Sequence, residues 1–73
     1  KVYPNPVIDI LNIDLTIKSG IDYEVFITDI MGATVTKVSK NTNFLQVGDL
    51  SSGMYFLNVR TKDGVFAHKF TKI

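Results

Sequence analysis

Apolar and polar positions alternate with a period of two along most of the chain, the pattern of strands with one buried face. Leu11, Ile13, Leu15 and Ile17 alternate with Ile10, Asn12, Asp14 and Thr16. Lys18, Ser19 and Gly20 then break the run with turn residues. A second run sets Ile21, Tyr23, Val25 and Ile27 against Asp22, Glu24, Phe26 and Thr28. Asp29-Ile30-Met31-Gly32 closes it, and Gly32 is free to take the positive φ of a tight turn. Residues 33–38 are rich in Thr and Val and predict a third strand. A polar loop over 39–43 and a brief strand over 44–47 follow. After a connection through Gly48 and Gly53, residues 54–61 place Tyr55, Leu57 and Val59 on one face. The Asp63-Gly64 dipeptide predicts a two-residue hairpin turn, with residues 65–73 as the returning strand.

No window carries a sustained 3.6-residue apolar period with caps, so helices are not expected. The six strands are joined by a lead-in, VYPNP, that forms a short edge strand. Pro4 and Pro6 fix their own φ and push Tyr3 and Asn5 towards extended geometry, which predicts a stiff, extended opening. About seven short strands in 73 residues point to an all-β fold. The best match is a compact immunoglobulin-like or fibronectin-like antiparallel β-sandwich. Within it, Tyr55 follows a polar turn, a Gly and one further residue. That is the layout in which a tyrosine ring enters the core while its hydroxyl bonds backbone upstream. Tyr55 is therefore read as structural.

Composition narrows the functions open to such a domain. A chain of about 60 residues buries only about 60% of its unfolded surface, and small domains often add disulfides or a metal. With no Cys and one His, neither staple is available, so the apolar pattern alone must specify the core. The net charge of +1 and the absence of a clustered basic face argue against nucleic acid as a partner. No stretch approaches the roughly 20 apolar residues of a membrane-spanning helix, and the start shows no leader pattern. Lys1 reads as an internal point of a longer chain, with residues 1–73 as one terminal domain.

Convergent titratable groups are missing. His68 stands alone. With a turn at Asp63-Gly64 it falls opposite Val59, near the core face, and a one-residue slip would turn it outward. The acids are scattered over strand ends and turns, with no alternating oxygen-rich loop for calcium. The glycines are single turn residues and form no phosphate cradle. No enzyme activity, metal or cofactor is expected. Tyr3, Phe26, Phe44, Phe56 and Phe66 either form an exposed aromatic stripe or tuck under edge loops.

Four stretches in this order resemble one family. They are Val2-Tyr3-Pro4-Asn5-Pro6 with Leu11-Asn12-Ile13 behind it; the strand and turn ending in Asp29 and Gly32; Leu50, Gly53 and Tyr55 in LSSGMYFL; and the ending Lys69-Phe70-Thr71-Lys72-Ile73. Together they look like the C-terminal sorting domain of the type IX (Por) secretion system, in its type A form. The resemblance covers essentially the whole chain.

It implies an address label at the end of secreted proteins of Bacteroidota-type bacteria. The passenger would cross the periplasm to the outer-membrane surface or the medium. The label would be recognised by the outer-membrane translocon and its shuttle protein. A surface sortase would then remove it upstream of VYPNP and anchor the passenger. Recognition is placed at Lys69, Phe70, Thr71, Lys72 and Ile73. Two other readings compete. One is a carbohydrate-binding or adhesive sandwich module, needing a platform of Phe26, Phe56 and Tyr3. The other is a passive spacer.

Overall fold

The computed structural model describes residues 1–15 and 20–73. Seven strands follow in chain order: β1 (Val2–Tyr3), β2 (Ile10–Ile13), β3 (Glu24–Asp29), β4 (Ser39–Lys40), β5 (Phe44–Gln46), β6 (Gly53–Thr61) and β7 (Gly64–Lys72). They form a three-stranded sheet, β1-β2-β5, and a four-stranded sheet, β4-β3-β6-β7, all paired antiparallel. The described residues contain no helix.

The expected alternation builds the core. Leu11 and Ile13 on β2, Val25 and Ile27 on β3, and Tyr55, Leu57 and Val59 on β6 are buried. They meet Val7, Leu45, Val47 and Phe70 in one cluster, with Val2, Leu15, Tyr23 and Leu50 packed against it. Burying a side chain of this size contributes about 1.5–3 kcal/mol, so a core of this kind holds the two layers without covalent help. Phe26 and Phe56 project from the other face of the four-stranded sheet and are half buried, with the Arg60 guanidinium 5.2 Å from the Phe26 ring centre. These two rings are thus neither fully exposed nor buried.

Four local expectations are corrected. Residues 33–38 make no strand. The Thr36 hydroxyl accepts the Ile27 N–H at 3.0 Å, so a side chain takes the place of a ladder carbonyl. The stretch is joined to β3 by a bridge at Thr34 and by single bonds at Ala33, Val35 and Thr36, without a continuous ladder. The strand beside β3 is β4, inside the stretch expected as a loop.

The hairpin turn is Lys62-Asp63 and not Asp63-Gly64, because Thr61 pairs with Gly64. The Thr61 hydroxyl accepts the Asp63 N–H at 3.1 Å, which stabilises the turn one residue early. His68 consequently faces Leu57 and not Val59, and it is exposed.

The VYPNP opening is extended only over β1; residues 4–6 bend. Pro4 offers no N–H to continue the ladder, and both X–Pro peptide bonds here are cis. Finally, β3 begins at Glu24 and not at Ile21. Thr16, Ile17, Lys18 and Ser19, expected to end one strand and open a turn, lie outside the described residues.

Candidate functional site

The chain's first and last segments meet at one end of the sandwich. The Asn5 side-chain oxygen accepts the Thr71 N–H at 3.0 Å. The Val7 N–H donates to the Thr71 carbonyl and the Ile73 N–H to the Val7 carbonyl, each at 2.9 Å. Val7, fully buried, thereby forms a parallel bridge on the outer edge of β7. Asn5 and Val7 act as a clasp on the final strand, with Pro6 between them.

Asp29, Gly32, Gly53 and Tyr55 reach the same end. Asp29, Tyr55 and Phe70 lie in one row across β3, β6 and β7. Below the row, Asp29 organises its turn. One carboxylate oxygen accepts the N–H of Met31 at 2.9 Å and of Ala33 at 3.0 Å. The Asp29 carbonyl accepts the Gly32 N–H, and the Asp29 N–H donates to Ala33. Gly32 sits at φ 87°, a conformation costing other residues roughly 1–2 kcal/mol. On β6, Gly53 faces Lys72 and Met54 faces Thr71.

Tyr55 performs the role its spacing suggested. Its ring stacks on Phe70, with centroids 5.9 Å apart, and its hydroxyl donates to the Ser51 carbonyl at 2.7 Å. One residue thus joins the core, the row and the loop carrying Leu50. Tyr55→Phe should keep the packing and lose that bond. Urea denaturation is expected to show a loss of about 1 kcal/mol; an unchanged midpoint would mean the hydroxyl holds nothing.

The five final residues differ in exposure. Phe70 and Lys72 are buried, Thr71 is half buried, and Lys69 and Ile73 are exposed. The Lys72 ammonium donates to the Ile73 carbonyl at 2.7 Å, so its stem lies in the fold while its charge reaches the chain's last residues. The end also displays apolar groups that strand alternation does not bury. Ile30 and Met31 at the tip of the Asp29 turn are 68% and 86% exposed, joined by Ile8, Met54 and Ile73.

Val2 and Tyr3 do not join this group. They pair with Ile13 and Asn12 in the smaller sheet, and the Tyr3 carbonyl accepts a bond from the Asn12 amide.

Sequence reasoning missed Val7, Ile30 and Met31. Val7 had a local signal, as the first apolar residue after the prolines. The exposed pair carried none, because the pattern places it in the turn that closes a strand and says nothing of its exposure.

The far end of the molecule carries the polar features. Arg60 and Glu24 form an exposed ion pair at 2.8 Å, worth about 0–1 kcal/mol. It lines an open hollow of about 340 Å³ together with residues of both charges, including Asp22, Lys40 and Lys62. Among the described residues no cluster of three or more His, Cys, Asp or Glu side chains has the spacing of a metal site. No helix among them is long and apolar enough to cross a membrane.

Comparison with known proteins adds one match. The family model described as "Secretion system C-terminal sorting domain" fits residues 1–72. No curated protein and no solved structure matches the chain.

Proposed function

The chain belongs to the secretion system C-terminal sorting domain family of type IX secretion, and from that premise we propose that the end built on the Asn5–Val7 clasp is the face its secretion machinery reads. As a sorting signal it directs a passenger in the same polypeptide to the cell surface or beyond. Catalysis is not part of this family's known role.

The finer reading is ours. The folded domain crosses the periplasm behind its passenger and presents this end to the shuttle protein and the outer-membrane translocon. A surface sortase then cuts upstream of the VYPNP motif. Within the end, the exposed Lys69 and Ile73 make contact. Phe70 and Lys72 hold the strand in register, and Thr71 is fixed by the clasp. The Asp29 turn, Gly53 and Tyr55 set the platform beneath. The supporting observation is convergence: Asn5, Asp29, Tyr55 and residues 70–73, from four separated stretches, are joined there by named bonds or pairs.

The test fuses a reporter in front of the domain in a type IX host. Lys69→Ala with Ile73→Ser removes exposed contacts and spares every buried group. Export to the medium is expected to fall about tenfold or more, a difference of about 1.4 kcal/mol in recognition, with circular dichroism and melting unchanged. Full export by the folded double variant would place recognition elsewhere.

A further inference from the structure

β7 ends the larger sheet, and its outer edge is only partly covered. Along a strand, the N–H and C=O of one residue point to the same side, and that side alternates from residue to residue. Asn5 and Val7 take the N–H and C=O of Thr71 and the N–H of Ile73 on the side away from β6. By alternation, Val65, Ala67 and Lys69 point their backbone groups to that same side. Among the described residues nothing pairs with them there.

This stretch is exposed on both faces. Residues 64–69 are all exposed, although Phe66 and His68 pair with the buried Val59 and Leu57 and lie on their face of the sheet. The Phe66 ring is 56% exposed. Soluble domains blunt such an edge with prolines, bulges or charged side chains, lysine especially. Here the β6–β7 register runs through nine consecutive pairs without a bulge, the stretch holds no proline, and Lys69 is its single charged residue. The charge is one-sided as well. Over the open residues 64–69 the one charged side chain is Lys69, with no Asp or Glu.

We infer that this open edge of β7 is a docking site for an extended strand of a partner polypeptide, with apolar residues alternating with acidic ones. Backbone bonds to Val65, Ala67 and Lys69 would supply affinity. The apolar side chains would cover Phe66, and the acidic ones, on the opposite face, would meet Lys69. A second copy of this chain fits less well, because its own β7 has no carboxylate to set against Lys69. The clasp shows the mode on a small scale, since Val7 already pairs with the end of this edge. The inference goes beyond the sorting reading and depends on it only for which protein supplies the strand.

The test uses the 73-residue chain and a labelled synthetic peptide of about ten residues alternating valine and glutamate, followed by fluorescence anisotropy. The same peptide with lysine for glutamate is the charge control. The chain is expected to prefer the acidic peptide by about tenfold or more. Ala67→Pro places the missing N–H on the open side, where it removes no bond to β6. It should weaken binding by about tenfold or more while circular dichroism shows a folded domain. Lys69→Glu should reverse the preference between the two peptides, and it decides the matter if Ala67→Pro does not fold. Equal binding of both peptides would overturn the inference, as would undiminished binding by folded Ala67→Pro. So would self-association through the edge, seen by sedimentation, in place of peptide binding. Export is not read in this experiment, so its outcome and that of the sorting test are independent.

Discussion

Deleting residues 69–73 is expected to unfold the domain and not merely to erase a recognition tail. The deletion takes Phe70 from the core and four cross-strand pairs from β6, those of Gly53, Met54, Tyr55 and Phe56. It also removes the partners of Asn5 and Val7. Val7, fully buried in the intact chain, loses the strand it lies against, and its N–H loses its acceptor. Loss of a large aromatic core side chain costs about 3–5 kcal/mol. Orphaning a backbone donor adds about 1–3 kcal/mol where it stays buried. A domain of this length holds roughly 4–11 kcal/mol in all, from the usual 0.05–0.15 kcal/mol per residue. Far-ultraviolet circular dichroism should therefore show a disordered chain at 25 °C, and a protease should digest it completely. A truncated domain with native dichroism and a cooperative melt would show that the clasp contributes little.

That expectation changes how an export defect is read. A truncated fusion that stays in the cell is unfolded as well as missing its end. Only variants at exposed positions, such as Lys69 and Ile73, separate contact from folding. The two kinds of experiment should be run side by side, with stability measured on each protein.

The fold was legible wherever burial follows the period of two on both sides of a residue. Leu11 with Ile13, Val25 with Ile27, and Tyr55 with Leu57 and Val59 are such positions, and all are in the core. Tyr55 was legible further, down to the direction of its hydroxyl, because a loop, a Gly and a strand start leave it one place to bond. The Asp29–Gly32 turn was legible for a similar reason: the Asp carboxylate and the Gly φ are both local.

What could not be read is what depends on distant partners. Asn5 and Thr71 are 66 positions apart, and nothing in either stretch names the other. Strand β7 shows the same limit in its side chains. Six exposed residues precede Phe70, so its pattern gives no inner face, and Phe70 stood out for its place near the end and not as core. The stretch 33–38 failed for a different reason. Thr36 has the β-branched shape of a strand residue, yet its hydroxyl competes for the Ile27 N–H and interrupts the ladder.

Phe70→Ala tests the packing role of the last strand apart from the recognition proposed for its exposed residues. The ring is 1% exposed and stacked on Tyr55, so no partner touches it in the folded domain. Its truncation should cost about 3–5 kcal/mol, and for a domain of this size each kcal/mol lowers the melting temperature by roughly 4–8 °C. A drop of at least about 12 °C is the expected calorimetric result. If the machinery reads the folded end, export of a Phe70→Ala fusion should follow the folded fraction. It should recover at lower temperature, where more of the domain is folded, whereas the Lys69→Ala, Ile73→Ser variant should stay defective at every temperature. Should Phe70→Ala export normally where dichroism shows it unfolded, the signal would be a linear peptide, and the sandwich would serve some purpose other than presenting it.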